Sequence, residues 1–135
     1  MIGEKTAEWI IAAEKEALER WNQGNPDGYL DLYGDEITYF DPFHSKRIDG
    51  LDAMTDLYES LRGEIEIDRY EMIDPQVSAT GDVAVLTYNL YSWAGDILFP
   101  WNCTQIYRRE NGQWKIIHNH WSFIRPMDIP IESML

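Results

Sequence analysis

Apolar residues at helical spacing open the chain. Ile10, Ala13, Ala17 and Trp21 recur every three or four positions, so Thr6 to Asn22 reads as a helix with Thr6 as its cap. Gln23-Gly24 ends it, since glycine suits the left-handed cap. Asn25-Pro26 then starts a short second helix, a capping residue followed by proline at the first helical position. Tyr29, Leu30 and Tyr33 form its apolar side, and Gly34 stops it. Ile37 to Phe40 is β-branched and aromatic, which predicts a strand. Asp41-Pro42 terminates that strand, because proline cannot donate to a ladder. Ile48 gives a brief strand, and Asp49-Gly50 opens a third helix reaching Arg62. Leu51, Met54, Leu57, Tyr58 and Leu61 make one face of that helix apolar, and Gly63 ends it.

The remainder predicts β structure. One strand runs from Ile65 to Ile73 and stops before Asp74-Pro75, and Gln76 to Ala79 continues to a turn at Thr80-Gly81-Asp82. Val83 to Trp93 is a long strand that turns at Ala94-Gly95-Asp96. From Phe99 to Phe123 two strand-like runs flank Glu110-Asn111-Gly112. Asn-Gly between such runs is a strong hairpin signal, because both residues tolerate positive φ. Helices segregated from a meander of strands mean an α+β fold. A sheet that curls around its helices leaves a pocket at the open end. The tail carries Ile124, Met127, Ile129, Ile131, Met134 and Leu135, which is expected to pack on its own sheet or on a second subunit.

Composition narrows the classes. At 135 residues and 44% apolar, residues 1–135 read as a single domain with a real core. The net charge of −13, from 24 acidic against 11 basic residues, repels phosphate, so nucleic acid and anionic membrane are poor partners. The N-terminal MIGEKTAEW lacks a signal-peptide pattern, and no apolar run approaches the ~20 residues of a span. Cys103 is the only cysteine, so no internal disulfide forms, and a cytoplasmic protein is the expectation.

The order of elements and several motifs resemble the nuclear transport factor 2-like cone fold, a cystatin-like architecture that includes SnoaL-like proteins and ketosteroid isomerases. The motifs are similar to those of the association (hub) domain of calcium/calmodulin-dependent kinase II. They are ITYFDP (Ile37 to Pro42), IDGLDAMTDLYES (Ile48 to Ser60), Asp74-Pro75-Gln76-Val77 and YRRENGQWKIIHNHWS (Tyr107 to Ser122). The resemblance implies a curved antiparallel sheet packed on three helices and a small organic molecule in the cone. If the protein is an enzyme, the chemistry implied is that of an isomerase, lyase or hydrolase with an Asp base. The alternative is a non-catalytic oligomerisation or ligand-sensing module like the hub, since this fold carries both. The expected partners are a small-molecule ligand and a second copy of the chain, as a homodimer or a higher oligomer. Tyr91 and Trp93, on the face of their strand away from Leu90, support self-association.

Asp41 is the candidate catalytic residue. In ketosteroid isomerases, by resemblance, an aspartate before proline at the matching strand end is the base. A carboxylate at the mouth of an apolar cavity can abstract a proton next to a carbonyl. The competing reading is an acid that caps the strand-loop corner, with His44 or Arg47 near enough in sequence to pair with it. The isomerases' first-helix tyrosine falls near Ala17, and their late-strand aspartate falls between Asn102 and Gln105, so both oxyanion donors are replaced. The expected ligand-binding residues are Tyr39, Tyr88, Trp101, Gln105, Asn119 and Trp121. A mostly aromatic lining with a few amides suits a neutral small molecule. Where hub domains have a cationic pocket, Leu90, Gln105 and Trp121 stand here.

His118 and His120 share one face of a strand, and alternation gives the opposite face to Ile117, Asn119, Trp121 and Phe123. With His44 or Asp41 the two histidines make a two-histidine-one-carboxylate set conceivable, but the spacing fixes no third ligand, so no metal is expected. No cofactor is expected either. Cys103 lacks a basic cluster in sequence and reads as a small core residue.

Overall fold

The computed structural model describes residues 2–126 and 131–135. Its elements, in order, are helices α1 (Ile2–Asn22) and α2 (Asp27–Leu32), strands β1 (Tyr33–Phe40) and β2 (Ile48–Asp49), helix α3 (Leu51–Ser60), then strands β3 (Arg69–Thr80), β4 (Val83–Ala94), β5 (Ile97–Glu110) and β6 (Gln113–Phe123). The strands form one sheet in the order β2-β1-β6-β5-β4-β3. Neighbours are antiparallel except β1 and β6, which run parallel. The three helices lie on one face, giving the α+β architecture expected from the sequence. No helix among the described residues is long and apolar enough to cross a membrane.

The long hairpin forms where the Asn-Gly pair places it. Asn111 and Gly112 have φ of 51° and 78°, and Glu110 pairs with Gln113 across the turn. Alternation along β6 is broken once. Ile106 pairs with His118 and Tyr107 with Ile116, so Ile117 is an extra residue, a β-bulge. Alternation therefore misplaces Ile117: Ile116 is the side chain buried in the core, opposite Tyr107. Beyond the bulge the alternation holds, and Asn119 and Trp121 point inward.

A second bulge corrects the reading of β3 as two pieces. Ile73 pairs with Asn89 and Gln76 with Thr87, so one residue is extra at Asp74-Pro75, and Asp74 takes φ 49°. Proline is tolerated there because β3 is an edge strand and the bulge needs no donor. At the other end, Tyr33 and Gly34 belong to β1 rather than to the second helix. Gly34 extends the strand because Tyr33 pairs with Ile116 of β6.

The core lies between the helices and the inner sheet face, with Ile10, Leu18, Ile37, Met54, Leu86 and Tyr107 all buried. Of the apolar tail, Met127 and Ile129 lie outside the described residues. Ile131, Met134 and Leu135, in and after a short 3-10 turn, are exposed and do not pack on the chain's own sheet.

Helices α1 and α2 touch through Gly28. A Cβ built there would stand 2.8 Å from the Ala17 Cα, which is backbone and cannot swing away. Gly28→Ala is expected to cost about 1–3 kcal/mol through overpacking. Gly3→Ala, with nothing within 4 Å of its new methyl, is the control expected to lose nothing. Urea denaturation of the two variants checks this, and equal midpoints would contradict the close contact.

Candidate functional site

A pocket of about 440 Å³ opens at one end of the cone. Leu18 and Trp21 of α1 and Leu57 and Tyr58 of α3 form the helical wall. Leu90, Ser92, Trp101 and Trp121 form the sheet wall, joined by Tyr39 near the end of β1 and by Asp41, Phe43 and His44 just after it. None of the lining residues is Lys or Arg. Aromatic rings dominate both walls. Trp21 packs on Tyr58 with centroids 4.7 Å apart, and Tyr39 meets Tyr58 edge to face. Across the space Trp101 meets Trp121 edge to face at 5.7 Å, and Phe43 leans on Trp101 and Phe123. Such pairs fix ring positions beyond what area burial provides.

Asp41 stands where Pro42 ends the strand. Its Oδ1 accepts hydrogen bonds from the backbone N–H groups of Phe43 at 2.8 Å and His44 at 3.0 Å. The same oxygen lies 2.8 Å from His44 Nδ1. Arg47 turns away and pairs with Asp49 at 2.6 Å. The phenol of Tyr39 is pushed well above its usual range, mainly by burial, with Tyr58 and then Asp41 adding to it. Burial likewise raises Tyr58. Both phenols therefore stay protonated.

Of the residues expected to bind a ligand, Tyr39, Trp101 and Trp121 line the pocket together with Asp41. Tyr88, Gln105 and Asn119 do not; they belong to a buried polar layer behind it. Asn119 Nδ2 donates to the Tyr33 hydroxyl at 2.6 Å, and that hydroxyl is 3.0 Å from the Tyr58 hydroxyl. Tyr88 and Gln105 bind Glu14, a fully buried carboxyl on α1. Tyr29 also donates to Glu14, at 2.9 Å, and Gln105 Nε2 is 3.2 Å from both its oxygens. Glu14 was hidden by its charge, which on a helix reads as a solvated face. The signal was its position, one turn from Ile10 and one from Ala17 and Leu18 on the buried stripe.

The two strand histidines face away from the pocket. His118 Nδ1 is 2.7 Å from the Thr38 hydroxyl, and both histidine rings pack on Phe40 on the outer side of the sheet. Burial and the neighbouring His120 lower the pKa of His118. Among the described residues no group of three or more His, Cys, Asp or Glu side chains is placed to hold a metal ion. Cys103 is buried, and burial holds its thiol well above the usual range, so it is no nucleophile.

A six-stranded curved sheet closed by three helices over an aromatic pocket defines a nuclear transport factor 2-like cone. The chain belongs to the SnoaL-like domain family, whose model matches residues 10–126. It is 39% identical to a crystal structure from Parabacteroides distasonis assigned provisionally as a ketosteroid isomerase, covering 90% of each chain with a TM-score of 0.83. A nuclear transport factor 2-like protein of unknown function from Pseudomonas putida is 26% identical, covering 94% of this chain and 91% of that one, with a TM-score of 0.82. The association domain of calcium/calmodulin-dependent kinase II from C. elegans is 17% identical, covering 89% and 97%, with a TM-score of 0.74, a likeness of fold alone. None of the curated proteins matches the chain at a significant level.

Glu14 generates a pH prediction. Burial raises its pKa above the ordinary 4.5, against the opposing hydrogen bonds from Tyr88, Gln105 and Tyr29. The folded protein then holds this proton to higher pH than the unfolded chain. Its contribution to stability is fully present below the unfolded value and is lost as pH rises through the folded one. Glu14→Gln copies the protonated acid, and its amide has a donor for the otherwise unpartnered Gln105 Oε1 after a half-turn of the Gln105 amide. Its melting temperature is expected to vary less than wild type's above pH 4.5. Glu14→Ala, which strands three buried donors, is expected to lose on the order of 3 kcal/mol. Parallel pH curves for wild type and Glu14→Gln would rule Glu14 out as the source.

Proposed function

We propose that the cone binds a small, neutral, largely apolar organic molecule and carries out cofactor-free proton transfer on it, with Asp41 and its neighbour His44 at the acid-base end. The reaction class is isomerase, lyase or hydrolase. The observation that carries this reading is the pocket wall itself: aromatic on both sides, without a cation, and holding one carboxylate beside one imidazole. Buried aromatic surface supplies affinity without regard to charge, and a few polar groups set orientation. An anionic ligand finds no counter-charge there and meets Asp41. The provisional assignment of the Parabacteroides distasonis relative as a ketosteroid isomerase favours the same class of chemistry. The fluorescent neutral ketone prodan tests the reading. It is expected to bind saturably with a blue shift, while the anionic dye anilinonaphthalene sulfonate binds at least tenfold more weakly. Trp101→Ala is expected to weaken prodan about tenfold, or 1.4 kcal/mol, through loss of one wall. Absence of any saturable shift with prodan would end the binding proposal.

Self-association is part of the proposal. The outer sheet face carries Phe40, Ile106, Tyr91 and Trp93, which the helices cannot reach, and Arg69 lies 3.9 Å over the Trp93 ring. Apolar groups on both sheet faces favour burial of the outer one against a second copy. Light scattering over a dilution series is expected to give twice the 15.9 kDa chain mass. A strict monomer at micromolar concentration contradicts this.

A further inference from the structure

Asp41 and His44 stand 2.8 Å apart on the pocket wall. Asp41 Oδ1 already receives two backbone N–H groups and faces His44 Nδ1, and its side chain is only 8% exposed. An ionised carboxylate only accepts hydrogen bonds, so the hydrogen in the 2.8 Å contact belongs to Nδ1. In the neutral ring the lone pair then sits on Nε2. That nitrogen has no hydrogen-bond partner among the described residues. The His44 side chain is 38% exposed and stands on the pocket wall. The carboxylate is thus the engaged member of the pair, and the imidazole keeps one ring nitrogen unengaged beside the cavity.

We infer that His44 exchanges the proton with a molecule bound in the cone, while Asp41 is a positioning residue that fixes the ring and its tautomer. This rests on the reading of the cone as a binding pocket. In the step, Nε2 takes a proton from a carbon next to a carbonyl. The C–H electron pair moves onto the carbonyl oxygen as an enolate, in a pocket also lined by the phenols of Tyr39 and Tyr58. The imidazolium returns its proton to another carbon of the molecule, or to a departing oxygen. The balance closes without any oxidant, metal or cofactor.

Two measurements test this. The chain has three histidines, so a nitrogen-15 histidine-labelled sample gives a spectrum in which His44 is assigned by its loss in His44→Gln. Above the imidazole titration range, His44 is expected to carry its proton on Nδ1, unlike the usual Nε2–H form. The Nε2–H form in wild type would overturn the inference with no ligand involved. The second probe is 5-nitrobenzisoxazole, a neutral aromatic carbon acid that opens to a coloured phenolate when a base removes its ring proton. Wild type is expected to accelerate this opening, and His44→Gln to lower kcat/KM at least tenfold. Asp41→Asn, which keeps an oxygen for the loop N–H groups, is expected to lower kcat with little change in KM. Retained activity in His44→Gln with loss in Asp41→Asn would make Asp41 the base. Prodan binding without any turnover of the carbon acid would reject proton transfer by His44, whereas failure of prodan itself to bind would reject the pocket reading beneath it.

Discussion

A buried carboxyl with three partners on three elements fixes how the helices sit on the sheet. Glu14 of α1 receives Tyr29 of α2, Tyr88 of β4 and Gln105 of β5. Apolar contact is non-directional and would tolerate a range of helix positions. Hydrogen bonds to one buried acid do not, because each misplacement leaves polar groups unmet in a low-dielectric interior. Leu18 and Trp21, one and two turns further along α1, are carried by that placement into the pocket wall. The arrangement costs desolvation of the acid, which is why its proton is held more tightly than in water.

The cavity persists because its walls are braced separately. On one side Trp21 and Tyr29, Tyr33 and Tyr39 of β1, and Tyr58 pack ring on ring. Their hydroxyl chain runs from Tyr58 through Tyr33 to Asn119 on β6. On the sheet side Phe43, Trp101, Trp121 and Phe123 form a second cluster. Each set satisfies its own ring contacts, and the rigid rings leave the space between them unfilled. The polar layer of Glu14, Tyr88, Gln105 and Asn119 is no part of the lining, to which Asp41 and His44 belong.

The elements governed by local chemistry were legible in the sequence. Asn111-Gly112 placed the hairpin, and the apolar spacing of Leu51, Met54 and Tyr58 placed α3. What escaped was set by pairing partners. The bulge at Ile117 exists because β6 must register with both β1 and β5, and the strand across Asp74-Pro75 continues because β4 holds both halves. The site divides the same way. Alternation from His118 onward put Trp121 and the two histidines on opposite faces, and the structure has Trp121 on the inner one. It could not distinguish an inward residue on the pocket wall from one behind it, and so grouped Gln105, Asn119 and Tyr88 with Trp101. Glu14 was missed for a related reason: a charge on a helix is ordinarily solvated, and only the partners waiting on other elements make its burial tolerable.

Of the two sequence readings of Asp41, corner cap and chemical group, the cap is visible in the structure and leaves the residue on the pocket wall. Pro42 ends β1 because it has no N–H to donate, and the chain must then turn within a few residues to reach β2. Asp41 Oδ1 organises that turn by taking the N–H groups of Phe43 and His44. Those same bonds draw the His44 ring back over the carboxylate and hold Phe43, itself 70% exposed, against Trp101 and Phe123. One oxygen thereby shapes the loop, orients an imidazole and sets an aromatic ring at the mouth.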